Sequence, residues 1–291
     1  MITRFAPSPT GPLHLGHAYS AMLAHDMALE AGGQFLLRIE DIDRSRSRPE
    51  WEAQIFDDLQ WLGLSWPQPV MRQSERMDSY KDALARLQDM GLVYRCTCKR
   101  RDIEAAVAAP QEAGDPIIGP DGLVYPGTCR DKDHKDANAA LRLDMEKALH
   151  YLGAPVLSFA ESGPTHAGRH KVTPDELIHR VGDIVLARRD MGTSYHLSVV
   201  LDDAAQGITD VIRGEDLFQA TKIHVVLQTL LGLPAPRYHH HRLIRDDTGK
   251  RLAKRDDARA IARFRVDGLS PNDIREMIGL PPAVSPDRSR A

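Results

Sequence analysis

The sequence predicts an α/β fold, a parallel sheet with crossover helices that is interrupted midway by an inserted region. Three observations carry this. About the first forty residues run strand, turn, helix, strand; the regular pattern then weakens between 96 and 168; and apolar patterns return from 183 onward. Strand, helix and strand in so short a stretch form a βαβ unit, which offers a ligand site at the carboxyl edge of its strands.

Residues 2 to 6 are a short apolar run, and the stretch from Pro7 to Pro12 is rich in the proline and glycine of a turn. Leu15, Ala18, Met22, Leu23 and Met27 then recur at helical spacing until Gly32 and Gly33 end the pattern. A second strand is expected over 35–39, with helical periodicity at 49–63 and 78–91. Clusters of Pro, Gly and Asp at 110–122 and 163–168 mark an insertion running from Cys96 to about Gly168. Buried strand and helix patterns resume at 183–187, 198–201 and 208–212, followed by a helix over 215–232, so the sheet is expected to be completed after the insertion. The resulting division is 1–92 for the first half of the sheet domain, 93–170 for the insertion, 171–236 for the second half, and 237–291 for a basic loop and helical tail.

The composition, 42% apolar and 27% charged over 291 residues, is that of a packed chain and excludes long disordered stretches. No stretch approaches the ~20 apolar residues of a membrane span, and the start lacks a charged segment followed by an apolar run, so a cytoplasmic protein is expected. All three cysteines, Cys96, Cys98 and Cys129, sit within the insertion, which points to a metal in a reducing compartment rather than to disulfides. The net charge of -3 is unevenly spread. Between 237 and 259 eight basic residues, from Arg237 through Lys250, Arg251 and Lys254 to Arg259, face four aspartates, which makes either a local phosphate-binding face or a solvated charged helix.

Two constellations suggest phosphate chemistry. His14-Leu15-Gly16-His17 falls where the first strand turns into the first helix, and the amides and dipole of a helix start favour an anion there. Each imidazole can donate to charge developing on a phosphate, and Gly16 permits close backbone approach. The loop Asp247–Arg255, pivoting on Gly249, brings Lys250, Arg251 and Lys254 onto one stretch able to cover a polyphosphate.

Taken together, the run from Arg4 to His17, Leu37-Arg-Ile-Glu-Asp-Ile-Asp43, Val200-Leu-Asp-Asp203 and Val211-Ile-Arg-Gly-Glu-Asp-Leu217 resemble the glutamyl-tRNA synthetase lineage of the class I aminoacyl-tRNA synthetases. These motifs span residue 4 to about 260. The resemblance implies a Rossmann-like catalytic domain and ATP, with Mg2+, as the activating substrate. It departs from the family's signature loop at Arg251 and Ala253 and keeps Lys254. The positions matching the family's amino-acid site are Arg4, Ser8, Glu40, Tyr195 and Arg213, with Arg4 and Arg213 expected on carboxylate and Glu40 on ammonium. His14, Gly16, His17 and Lys254 are the expected ATP site, with His14, His17 and Lys254 catalytic.

The thiols of Cys96, Cys98 and Cys129 suit one tetrahedral zinc ion. Ligand chemistry alone favours His134 as the fourth donor, whereas the resemblance implies Tyr125, which completes a C-x-C and Y-x-x-x-C pattern found in a truncated branch of the lineage. A full relative carries a long anticodon-binding region where this sequence ends, and the truncated branch glutamylates the queuosine base of tRNA(Asp). The resemblance therefore implies L-glutamate, ATP and queuosine-bearing tRNA(Asp) as partners of a monomer. Glutamylation of the 3′ end of tRNA(Glu), or a non-catalytic binding paralogue, stand as alternatives.

Overall fold

The computed structural model describes residues 1–108, 116–245 and 259–283. The loop residues Lys250, Arg251, Ala253 and Lys254 lie outside the described residues. In chain order the first half contains β1 (Ile2–Phe5), α1 (Leu15–Glu30), β2 (Gln34–Ile39), α2 (Pro49–Trp61), β3 (Met71–Arg72) and α3 (Met77–Asp89). The middle contains β4 (Val93–Cys96), α4 (Arg100–Ala108), the hairpin β5 (Ile118–Gly119) and β6 (Gly122–Leu123), β7 (Ala140–Leu143), α5 (Met145–Tyr151), β8 (Leu157–Glu161) and β9 (Gly168–Val172). The remainder is α6 (Pro174–Glu176), β10 (Val185–Ala187), α7 (Tyr195–Ala205), β11 (Asp210–Gly214), α8 (Thr221–Leu231), β12 (Arg237–His241), α9 (Ile261–Val266) and α10 (Pro271–Met277).

The parallel sheet is present. β1 pairs with β2 from Ile2↔Gln34 to Phe5↔Leu37, and β2 continues to β3, both in parallel. β11 pairs in parallel with β12, which pairs in parallel with β8. The two ladders meet where the Thr209 amide donates to the Ile2 carbonyl at 3.0 Å, which sets β1 beside β11. Consequently the carboxyl ends of β1 and β11, and the residues just past β2, open on one side, where such sheets bind ligands.

The ladders cross the division expected at 170. β8 falls within 93–170 and its antiparallel partner β9 straddles residue 170, yet both belong to the sheet of β11 and β12, whereas β10, beyond that division, pairs antiparallel with β7 and through it with β4. The run 198–201 is helical. Ser194 caps α7 by accepting from the Leu197 amide, and the buried face of Leu197, Val199 and Val200 outweighs the strand preference of two adjacent valines.

Two apolar clusters hold these layers. One joins α3, α5, α7 and α8 to β8. The other joins α1, β2 and α2 to Ile261, Phe264, Ile274 and Ile278 of the tail. The tail is also fastened by a buried fork, Arg275 donating to both carboxylate oxygens of Asp26 at 2.7 and 2.9 Å. No helix among the described residues is long and apolar enough to cross a membrane.

Candidate active site

α1 begins with histidines in the role usually taken by Ser and Glu. The Nδ1 of His14 accepts from the Gly16 amide at 3.1 Å, and the Nδ1 of His17 accepts from the His14 amide at 3.2 Å, a reciprocal capping box. A neutral imidazole that accepts at Nδ1 carries its proton on Nε2, so the cap also fixes which nitrogen can donate. The rings lie 3.8 Å apart. Gly16 suits this arrangement, because a Cβ there would sit 3.0 Å from the His14 ring and press on the cap.

Both histidines line a cavity of about 230 Å3 at the ends of β1 and β11, together with Gly16, Arg4, Glu40, Tyr195 and Arg213. An adjoining cavity of about 520 Å3 shares His17, Glu40 and Tyr195 with the first and adds Ser8. Of the expected residues, then, Arg4, His14, Gly16, His17, Glu40, Tyr195 and Arg213 come together, Ser8 stands next door, and Lys254 falls outside the described residues.

A buried ionic lattice lies beneath the first cavity. Arg4 donates from Nε and Nη2 to the two oxygens of Asp203 at 3.0 and 3.4 Å. Arg38, fully buried in β2, donates to Asp203 at 2.7 Å, to Gln206 at 2.9 Å and to Glu40 at 3.1 Å. Asp202 in turn receives Gln73, Arg76 and the Tyr80 hydroxyl. Burial pushes the Asp203 carboxyl up, but Arg4 and Arg38 outweigh it and leave the group below its ordinary value. Glu40 goes the other way, since burial pushes its carboxyl up further than Arg38 and Arg4 pull it back.

Arg213 is buried differently. Its Nε and Nη1 point to His240 Nε2 and His224 Nδ1 at 3.0 and 3.1 Å, and its Nη2 donates to the Leu217 carbonyl and the Thr221 hydroxyl at 3.2 and 2.8 Å. Among the described residues no carboxylate of the chain approaches this guanidinium within 4.0 Å, although Arg213 is only 6% exposed. Among the described residues the cavity thus holds one guanidinium, Arg213, with no carboxylate within 4.0 Å, and two carboxylates, Asp216 and Glu40, of which Glu40 has its charge only partly compensated.

In the inserted region the sulfurs of Cys96, Cys98 and Cys129 lie within 4.8 Å of one another. The Tyr125 hydroxyl stands 3.4 Å from both Cys96 Sγ and Cys98 Sγ, and Cys98 Sγ stands 3.4 Å from Cys129 Sγ. Donors bound at about 2.0–2.3 Å around a tetrahedral ion are about 3.5–3.8 Å apart, so these four atoms fit such an ion with a small expansion. His134 is outside the group of three thiols, and its Nε2 is buried without a hydrogen-bond partner among the described residues. Burial raises the Cys98 thiol to about 11, whereas bonds from Tyr125, the Thr97 backbone and Cys98 overcome burial at Cys129 and bring it to about 6. Arg142 lies over the Tyr125 ring at 4.0 Å and donates to the Asp183 carbonyl at 2.8 Å.

Sequence reading missed three groups. Arg38 and Asp203 order the cavity from below, and the signal available was an arginine at a core-facing position of an apolar strand. Asp183 knits the insertion, accepting from Tyr94, Arg130 and the Met145 amide. The histidines around Arg213 carried no local signal, because their burial comes from α7, α8 and β12 packing together.

Residues 1–280 match the model of the class I tRNA synthetases for glutamate and glutamine, catalytic domain. A glutamyl-Q tRNA(Asp) synthetase of Rhodobacter capsulatus is 65% identical over 96% of this chain and 100% of its own length. One from Nocardia farcinica is 42% identical over 96% of this chain and 85% of its own. A glutamate tRNA ligase of Elizabethkingia meningosepticum, solved in complex with its amino acid, superposes with a TM-score of 0.72 at 27% identity over 96% of this chain. The chain spans 60% of that enzyme's length. By these matches and by its parallel-sheet α/β fold, the chain belongs to the class I tRNA synthetases of the glutamate and glutamine family.

Proposed function

We propose that this protein activates L-glutamate with ATP and transfers it to the queuosine base in the anticodon loop of tRNA(Asp). The observation that carries the amino-acid part is the buried Arg213, which has no carboxylate partner among the described residues, in one cavity with the under-compensated Glu40. A burial of this kind is costly unless a ligand supplies the opposite charge. Glutamate supplies both, a carboxylate for Arg213 and an ammonium for Glu40, while Arg4 lines the same space. The names of the relatives support queuosine of tRNA(Asp) as acceptor.

Class I membership implies ATP with Mg2+. An oxygen of the glutamate α-carboxylate attacks the α-phosphorus, the bond to the β-phosphate oxygen breaks, and pyrophosphate leaves. A ring hydroxyl of queuosine then attacks the acyl carbon, giving the ester, AMP and a proton. The protein contributes position and charge: His14 and His17 donate from Nε2 to phosphate oxygens, and Arg213 and Glu40 orient the amino acid. Cys96, Cys98, Tyr125 and Cys129 would hold a zinc ion, which would brace the insertion rather than take part in the chemistry.

The experiment is transfer of labelled glutamate to purified tRNA(Asp), with ATP–pyrophosphate exchange measured separately without tRNA. Glutamate-dependent exchange and labelling that requires queuosine are expected. Equal labelling of queuosine-free tRNA(Asp), or label on the 3′ terminus, overturns the assignment.

A further inference from the structure

Among the described residues the partners of Arg213 are all neutral, and the tautomers of its two histidines follow from the geometry. Arginine has no acceptor, so His240 Nε2 at 3.0 Å and His224 Nδ1 at 3.1 Å both present lone pairs to it. His240 therefore bears its proton on Nδ1 and donates to Glu161 Oε2 at 2.5 Å. His224 bears its proton on Nε2 and donates to His196 Nδ1 at 3.2 Å, leaving the proton of His196 on Nε2, 3.5 Å from Asp121 Oδ1. Polar contacts thus run outward from one guanidinium to two carboxylates, Glu161 through a hydrogen bond and Asp121 at 3.5 Å, each separated from it by at least one imidazole.

The arrangement is enclosed on both sides. His240 and His224 are 1% and 2% exposed, so water does not replace either partner. Glu161 is itself consumed by the Gly163 and His240 amides at 2.6 and 2.9 Å. Gly163 makes this approach possible, since a Cβ there would lie 2.2 Å from the His240 carbonyl oxygen. Burial and the neighbouring Arg213 bring the His240 ring to about 4 and hold His224 well below its ordinary value, so both remain neutral at neutral pH. The contrast is with Arg4 and Arg38, which Asp203 grips directly.

We propose that His224 and His240 are positioning residues that determine specificity: they fix Arg213 through lone pairs rather than carboxylates, leaving its charge for the substrate's carboxylate and so favouring glutamate over glutamine. A carboxylate in either place would hold the guanidinium equally well and cancel the charge that distinguishes an acid from its amide. This inference rests on the reading that Arg213 meets the glutamate carboxylate.

The test is ATP–pyrophosphate exchange with glutamate and with glutamine, on wild type, His224→Asp, His224→Asn and His224→Leu. The aspartate supplies a direct counter-ion. It is expected to raise KM for glutamate by about tenfold, the equivalent of one lost charge-assisted contact, while kcat/KM for glutamine holds or rises. General damage would instead depress both substrates and raise KM for ATP. His224→Asn returns an acceptor near the Nδ1 position and is expected to keep KM for glutamate within about threefold of wild type, with His224→Leu about tenfold worse. An unchanged glutamate-to-glutamine ratio in His224→Asp, or equal losses in the Asn and Leu variants should the Asp variant fail to fold, overturns the inference. Absence of glutamate-dependent exchange in wild type would overturn the proposed activity first.

Discussion

Replacing Arg38 by methionine tests the lattice under the cavity. The side chain is fully buried and gives its N–H groups to Asp203, Gln206 and Glu40 at 2.7 to 3.1 Å. Methionine fills similar space but leaves Asp203 with Arg4 alone and Glu40 with no guanidinium in direct contact. Removing one partner of a buried pair costs about 3–5 kcal/mol, because the remaining charge stays desolvated. For a chain of this size that corresponds to a fall in Tm of about 10 °C. The functional effect has a sign as well. The Glu40 carboxyl is already pushed up by burial, with Arg38 its main restraint, so losing Arg38 raises it further and protonates it at a higher pH. A protonated Glu40 accepts the substrate ammonium poorly. KM for glutamate is therefore expected to rise as pH falls, starting at a higher pH than in wild type, with KM for ATP little changed. Thermal unfolding and pyrophosphate exchange between pH 6 and 8 provide the measurements, and Arg38→Lys should fall between, since an ammonium cannot make the fork. A variant that melts within about 2 °C of wild type, where the reasoning requires a loss several times larger, would show that the carboxylates are compensated without Arg38.

Purified protein should contain one zinc per chain, lost in Cys98→Ser and weakened in Tyr125→Phe but retained in His134→Ala; full zinc in Tyr125→Phe with loss in His134→Ala would reassign the fourth ligand. Asp58 in α2 is 1% exposed, and burial, aided by Asp57, lifts its carboxyl from 3.8 to about 6. A raised folded value means that its contribution to stability is complete below 3.8 and lost as pH rises through about 6, a cost of about 3 kcal/mol at neutral pH. Asp58→Asn should therefore be more stable than wild type at pH 7.5 and equal to it near pH 4, as measured by urea midpoints; equal midpoints at pH 7.5 would count against a buried charge at this position.

The parts of this molecule legible in sequence were those whose cause is local. The turn after β1, the helix that follows it and β2 announce themselves by periodicity and by Gly and Pro, and the family motifs then name Arg4, Glu40, Tyr195 and Arg213, which share one cavity. The cysteine cluster was legible because thiols are few and lie close along the chain. What was not legible depends on distance. Arg38 and Asp203 are 165 residues apart, and nothing near either one indicates that the other will neutralise it. The same holds for His224, which in sequence is a polar residue in an apolar helix and acquires its partners only when α8 meets β11 and α7. The run 198–201 misleads for the opposite reason: valines suit a strand, and only the Ser194 cap and the buried face decide for helix.

The exchange of strands across the expected division at 170 has a consequence for how this architecture can be altered. Cutting out 93–170 would not remove a cassette. It would take β8 and the first half of β9 from the sheet of β12 and leave β10 without its partner β7, so the excised remainder would expose two fresh strand edges. Glu161, the anchor of His240, ends β8 and would leave with it. Inserted region and amino-acid cavity are accordingly one mechanical piece, and shortening this protein is confined to loops that both sheets leave alone.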